Sequence, residues 1–187
     1  LVEINPSEER DNAVTWWDYN LIEAGQDSPY RREMSWKDFD YRSNRIANLL
    51  LSRCVKKGTK VAILVMNCLE WLPVYFGILK AGCIAVPMNY RYSSDEIKYC
   101  LDLADVEVLV FGPEFVSRID AIADDIPAVK TLFFVGRDVP SYAQNCLELA
   151  GYCSSSAPPV ALSEEDDAAI YFSSGTTGFP KAILHNH

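Results

Sequence analysis

The chain alternates apolar runs of strand length with amphipathic stretches of helix length. Apolar runs without polar alternation predict strands that are buried on both faces, as in a parallel sheet. Such runs occupy residues 60–65, 83–86, 106–111, 130–135 and 168–172. Because predicted helices separate these strands through short links, we predict an α/β fold: a doubly wound, mostly parallel sheet flanked by helices.

Apolar residues that recur every three or four positions place the helices. The predicted helices cover residues 36–53, 69–81, 93–104 and 114–123, with a weaker one at 141–150. Gly82 is placed to end the second helix. Ser93 and Glu96 form a capping-box pattern at the start of the third, where acidic side chains also favour the helix N-terminus.

These elements divide the chain into four segments. Residues 1–33 are predicted to be an N-terminal helical extension, because Val14, Trp17 and Leu21 recur at helical spacing before Gly25. Residues 34–150 are the α/β subdomain, which opens with a short strand at 34–36. A Ser-, Pro- and Ala-rich linker with an acidic end covers 151–166, and residues 167–187 form a strand, a loop and a second strand.

The loop between the last two apolar runs carries the candidate chemistry. It consists of hydroxyl residues and glycines: Ser173, Ser174, Gly175, Thr176, Thr177 and Gly178. The hydroxyls are hydrogen-bond donors, and glycines let backbone N–H groups approach an anion closely. Lys181 adds a mobile positive charge after Pro180. The pattern therefore predicts phosphate binding, although its spacing is not the Gly-x-x-x-x-Gly-Lys-Ser/Thr of a Walker A loop.

The run from Ser173 to Lys181 resembles the signature loop of the adenylate-forming (AMP-binding) superfamily. A second stretch, from Gly77 through Leu-Lys-Ala-Gly to a strand that ends at Pro87, is similar to the other N-terminal signature of that family. The residues from Pro87 to Arg91 look more like acyl-CoA ligases than peptide-synthetase domains. The resemblance extends from about residue 34 to residue 187.

This resemblance implies an acyl-CoA synthetase that activates a carboxylic acid with Mg·ATP to acyl-AMP and pyrophosphate, and then transfers the acyl group to CoA. It implies that the segment from Ser173 to Thr177 binds the β- and γ-phosphates, that Gly175 and Gly178 permit their close approach, and that Lys181 is catalytic, neutralising charge on the leaving pyrophosphate. ATP, Mg²⁺ and CoA are the expected co-substrates, with no metal ligand in this chain. Fatty, aryl and alicyclic acids all remain open as substrates.

Family chains are well over twice as long as this one, so the resemblance also implies an N-terminal fragment. The nucleotide-ring pocket, the ribose-binding Asp and the Mg²⁺-binding acid are expected beyond His187. We therefore expect the 187-residue chain to be inactive alone.

Composition is informative about nucleic-acid binding, the cellular compartment and membrane insertion. A net charge of −9 argues against a nucleic-acid platform, which needs a basic surface. The six cysteines form no Cys-x-x-Cys pair, and unpaired cysteines are typical of a reducing cytoplasm. Neither a signal peptide nor a transmembrane segment is visible. The oligomeric state is left open.

Two alternatives stay open on the residues alone. Ser, Thr and Gly clusters are common turn material, so the loop could belong to a non-catalytic α/β module that binds an anion weakly or contacts a protein. His185 and His187 lie two residues apart and could form a metal pair, although a structural or pocket-wall role is favoured.

Overall fold

The computed structural model describes residues 12–17, 31–173 and 180–187. Its strands are β1 (Asn12–Trp17), β2 (Arg31–Ser35), β3 (Lys60–Leu64), β4 (Ile84–Pro87), β5 (Val106–Phe111), β6 (Thr131–Phe134), β7 (Gln144–Asn145), β8 (Asp167–Ser173) and β9 (Lys181–Asn186). Its α-helices are α1 (Trp36–Ser52), α2 (Trp71–Lys80), α3 (Ser94–Leu103), α4 (Val116–Asp120) and α5 (Cys146–Gly151). Short 3₁₀ turns at Pro113–Phe115 and Ala123–Asp125 flank α4.

Seven strands form one sheet in the order β7-β6-β5-β3-β4-β8-β9. Every neighbouring pair is parallel except β8 and β9, which are antiparallel. β1 and β2 form a separate two-stranded antiparallel ribbon. The predicted doubly wound, mostly parallel sheet is confirmed.

The two faces of the sheet carry different helices. Val61 and Ile63 of β3 belong to the core cluster that holds α1, α2 and α5. The intervening residues Ala62 and Leu64 belong to the cluster that holds α3 and α4. Successive side chains of a strand point to opposite faces, so a strand buried on both sides must be apolar throughout. This is why β3 reads as a continuous apolar run.

Helix α2 lies unusually close to α1. A Cβ atom at Gly77 would stand 2.5 Å from Cβ of Ile46 and 2.9 Å from the carbonyl oxygen of Ser43. The backbone of α2 therefore occupies the space that a side chain would need. This close packing sets the position of α2 against α1. Helix α2 also approaches β8 near the candidate site.

The segment predicted as a linker packs along α1. The Asn48 side-chain amide donates to the carbonyl oxygens of Ser154 and Ser156 at 2.8 and 3.0 Å. The buried Asn44 amide donates to the carbonyl of Ser155 at 2.9 Å. These amides satisfy the backbone carbonyls of a strand-free segment. The chain then enters β8, which pairs with β4 within the main sheet.

Some boundaries differ from the sequence prediction. The predicted N-terminal helix is wrong for residues 12–17, which form β1, whereas 1–11 and 18–30 lie outside the described residues. Val14 to Trp17 are β-branched or aromatic, and pairing with β2 overrides their helical spacing. The weak helix at 141–150 is replaced by turns, the two residues of β7 and the short α5.

Among the helices in the described part of the chain, none has the length and apolar character required to cross a membrane.

Candidate active site at the carboxyl edge of the sheet

The candidate site lies where β8 ends. β8 runs parallel to β4, with Ala169 paired to Ala85, so Ser173 lies on the edge formed by the carboxyl ends of the parallel strands. Ligands of open α/β sheets bind outside this edge, because the loops that leave it can converge on a common crevice. The sheet topology thus puts Ser173, the first residue of the signature, at the edge where such folds bind ligands.

Ser173 and Lys181 are direct cross-strand partners in the β8–β9 hairpin. Their side chains therefore project from the same face of the sheet, with Cβ atoms on the order of 5 Å apart. Pro180 is buried, and Lys181 directly after it is exposed. Within the described residues, no carboxylate forms an ion pair with Lys181.

The other predicted phosphate-binding residues fall outside the described part of the chain. They are Ser174, Gly175, Thr176, Thr177 and Gly178. The structure brings together the two ends of the signature, Ser173 and Lys181, and the assignment of the residues between them stays a prediction.

A pair of tyrosines that the sequence did not single out lies beside this hairpin. The hydroxyls of Tyr75 on α2 and Tyr171 on β8 are 2.8 Å apart, within hydrogen-bond distance. Tyr171 precedes Ser173 by two residues, so both side chains project from the same face. Burial, and then the hydrogen bond to Tyr171, raise the pKa of Tyr75, which keeps its hydroxyl protonated. No motif links two residues so far apart in sequence, so pattern analysis had no signal for this pair.

His185 in β9 and His187, directly after β9, have separate surroundings. The ring of His185 contacts the Tyr171 ring edge-on, with centroids 5.3 Å apart. The backbone N–H of His187 donates to the carbonyl of Asp166 at 3.2 Å, and burial lowers the pKa of the His187 imidazole. Across the part of the chain that the structure describes, no group of three or more His, Cys, Asp or Glu side chains could hold a metal ion.

The opposite end of β8 is anchored by an ion pair. Lys57 Nζ lies 2.6 Å from Oδ2 of Asp166 and donates to the carbonyl of Ala161 at 2.9 Å. Asp166 also accepts from the backbone N–H of Ser163 at 2.7 Å. The hydrogen bond from Lys57 holds the pKa of Asp166 below its usual range. These contacts attach the linker and the start of β8 to the turn before β3.

Comparison with known proteins gives a consistent result. The sequence model of the AMP-binding enzyme family matches residues 12–187. A medium/long-chain-fatty-acid–CoA/3-oxocholest-4-en-26-oate–CoA ligase of Mycobacterium marinum is 31% identical over 163 residues, covering 83% of this chain and 30% of that protein. The human mitochondrial acyl-coenzyme A synthetase ACSM2B is 28% identical over 159 residues, covering 83% of this chain and 28% of that protein.

Solved structures of CoA ligases are similar in fold to this chain. The anthranilate CoA ligase AuaEII in complex with anthranoyl-AMP superposes with a TM-score of 0.80 and 29% identity, over 83% of this chain and 30% of that one. The inhibitor-bound N-terminal domain of FACL13 from Mycobacterium tuberculosis superposes with a TM-score of 0.74 and 30% identity, over 83% of this chain and 38% of that one. The chain spans about 30% of the length of the curated relatives it matches.

Proposed function

This chain belongs to the AMP-binding enzyme family, and we propose that the protein containing it is an acyl-CoA ligase that forms an acyl-adenylate from a carboxylic acid and Mg·ATP. The observation that carries the proposal is the pairing of Ser173 with Lys181 across the β8–β9 hairpin, at the carboxyl edge of the sheet. A hydroxyl donor and a cation on one face at this edge suit a polyphosphate.

The proposed reaction has two steps. A carboxylate oxygen of the acid attacks the α-phosphorus of ATP, the bond to the bridging oxygen breaks, and pyrophosphate leaves. The thiolate of CoA then attacks the acyl carbon, and AMP leaves with the oxygen that joined it to the acyl group. We propose that Mg²⁺ enters coordinated by the ATP phosphates, as is usual for this ion.

In this scheme Ser173 and Lys181 act on the phosphates rather than on the acid. The Ser173 hydroxyl donates to a phosphate oxygen, and the Lys181 ammonium offsets the charge that develops on the departing pyrophosphate. Positioning and charge stabilisation of this kind are the main protein contribution to phosphoryl-group chemistry. We propose that Ser174, Gly175, Thr176, Thr177 and Gly178 complete the phosphate-binding loop.

A substitution tests the role of Lys181. Lys181→Ala is expected to lower kcat/KM for ATP by about a hundredfold, the scale of losing one charge-stabilising donor. Lys98→Ala is the matched control, since Lys98 lies on α3 and pairs with Asp102 at 2.7 Å. That control is expected to retain wild-type kinetics. Equal effects of the two substitutions would place Lys181 outside the site.

The class of acid is proposed from the relatives. Their names include fatty-acid, 3-oxocholest-4-en-26-oate and anthranilate CoA ligases. We propose that this protein accepts a fatty, aryl or alicyclic acid, and that CoA is the thiol.

The experiment is pyrophosphate release by the full-length protein with Mg·ATP and a panel of such acids. Acid-dependent release that rises further with CoA is the expected result. The 187-residue chain serves as a control that we expect to be inactive, because it covers about 30% of its ligase relatives. No release with any acid from a folded full-length protein would favour a non-catalytic anion-binding or protein-interaction module.

The redox state of the cysteines is relevant to the cellular compartment of the protein. All six are free thiols, three of them buried: Cys83, Cys100 and Cys146. Free thiols fit a reducing environment, so we propose a cytoplasmic location. Imaging of the fluorescently tagged full-length protein would test this, and a signal confined to an oxidising compartment would contradict it.

A further inference from the structure

The contact between Tyr75 and Tyr171 joins a helix to the strand that leads into the signature loop. Their hydroxyl oxygens are 2.8 Å apart. Tyr171 remains 42% exposed, so the hydrogen bond is not a requirement for burying a polar atom. An exposed hydrogen bond contributes little to global stability, and its consequence should therefore be local.

On the helix side, the ring of Tyr75 packs against other aromatic rings. Its ring stacks on Trp71 with centroids 5.4 Å apart and planes inclined by 10°. It also meets Phe76 edge-on at 5.6 Å, and Phe76 packs against Phe39 of α1 at 5.3 Å. The close approach of α1 and α2 at Gly77 fixes the same turn of the helix. These contacts restrict the positions that the Tyr75 side chain can adopt on α2.

On the strand side, Tyr171 is coupled to both arms of the hairpin. It lies two residues before Ser173 on β8, and its direct partner on β9 is Ile183, two residues after Lys181. The ring of His185 contacts the Tyr171 ring at 5.3 Å. A displacement of Tyr171 would therefore move both flanks of the loop.

We propose that the Tyr75–Tyr171 hydroxyl pair positions the end of β8, and with it Ser173 and Lys181, for the phosphates of ATP. The inference rests on the proposed function and adds a positioning role that the signature loop does not contain. Both tyrosines act through Ser173 and Lys181 rather than by touching the substrate. Misplaced phosphate-binding groups weaken binding of ATP without altering the sites of the acid or the thiol.

The test is steady-state kinetics of the full-length protein with Tyr75→Phe, which removes the hydroxyl and keeps the stacked ring. We expect the KM for ATP to rise by about threefold to tenfold, the scale of one lost hydrogen bond. The KM values for the acid and for CoA are expected to stay unchanged. A merely structural role would instead reduce the amount of folded enzyme, which lowers apparent kcat and leaves the KM for ATP unchanged.

A double-mutant cycle tests whether the two tyrosines act through the same hydrogen bond. Tyr171→Phe should produce the same rise in KM, and the double variant no further rise, because either substitution breaks the same bond. Tyr142→Phe is the matched control: its hydroxyl donates to Asp120 at 2.5 Å and its side chain is 39% exposed, but it lies on the α4 side of the molecule. Wild-type kinetics are expected for that variant.

Two outcomes would overturn the inference: an unchanged KM for ATP in Tyr75→Phe, or fully additive effects of the two tyrosine substitutions. A wild-type protein without acid-dependent pyrophosphate release would instead overturn the proposed function. Hydrogen exchange then still decides the positioning role. Faster exchange of β9 amides in Tyr75→Phe than in Tyr142→Phe supports it, and equal exchange rates refute it.

Discussion

The close contact between α1 and α2 predicts a large penalty for the smallest possible side chain at Gly77. In Gly77→Ala, the new Cβ would lie 2.5 Å from Ile46 Cβ, 2.6 Å from Ile46 Cγ2 and 2.9 Å from the Ser43 carbonyl oxygen. Carbon atoms in favourable contact are about 3.5–4.0 Å apart, so all three contacts are repulsive. Two of these atoms, Ile46 Cβ and the Ser43 oxygen, cannot move by rotating a side chain. The helices must therefore separate.

The expected change in the free energy of unfolding of Gly77→Ala follows from two opposing contributions. Overpacking of a well-packed core costs about 1–3 kcal/mol, and a clash with immobile atoms belongs at the upper end. Alanine in a helix interior is favoured over glycine by about 1 kcal/mol. We therefore expect Gly77→Ala to lower the free energy of unfolding by about 2 kcal/mol.

Urea unfolding followed by tryptophan fluorescence is the assay, since Trp36 and Trp71 lie at the first residues of α1 and α2. Gly151→Ala is the matched control, because nothing lies within 4 Å of a Cβ built there. It should be neutral or stabilising by up to about 1 kcal/mol. Should both variants prove equally stable, the inferred helix contact would be refuted. Ile46→Ala is not expected to rescue Gly77→Ala, because alanine retains the closest atom, Cβ.

Two further predictions concern cysteines. Cys54, two residues after the end of α1, has a φ of 59°, and its N–H donates to the Leu51 carbonyl at 3.0 Å. Because this left-handed conformation strains a residue with a side chain, Cys54→Gly should raise the free energy of unfolding by about 1 kcal/mol. Asp105→Gly, at a φ of 49°, should raise the free energy of unfolding by less, because aspartate tolerates the left-handed region better than cysteine does. A loss of stability in Cys54→Gly would contradict the strain inferred at Cys54. Burial raises the pKa of three thiols to about 12: Cys83, Cys100 and Cys146. An unfolded thiol ionises near pH 8.5, so between about pH 9 and 12 the folded state holds more protons than the unfolded state, and stability should fall as pH rises. Each thiol adds up to about 1.4 kcal/mol per pH unit to this slope. Urea midpoints measured from neutral to alkaline pH check it, and a flat profile would contradict the burial of these thiols.

Local signals in the sequence were sufficient for most of the fold. The capping box is confirmed: Glu96 N–H donates to Ser93 Oγ at 3.3 Å, and Ser93 N–H donates to Glu96 Oε2 at 2.8 Å. The strand predicted at 106–111 has the same bounds in the structure, because a strand buried on both faces is apolar throughout. Such features depend only on neighbours in sequence, and those neighbours were visible.

Features that depend on distant partners were not predictable. β1 looked helical because its pairing with β2 cannot be read from its own spacing. The contact of Gly77 with Ile46 requires the packing of two helices to be known. In the candidate site, the signature predicts roles for Ser173 and Lys181, but only the strand register shows that they face each other.

In the proposed reaction the acid becomes covalently joined to AMP, and an oxygen-isotope experiment detects this bond. The full-length protein would be incubated with Mg·ATP, CoA and an accepted acid labelled with ¹⁸O in its carboxylate, and the AMP analysed by mass spectrometry. We expect one ¹⁸O atom in the AMP phosphate, because in the proposed reaction a carboxylate oxygen attacks the α-phosphorus and leaves with AMP. AMP without ¹⁸O would instead show hydrolysis of ATP by water and contradict the proposed reaction.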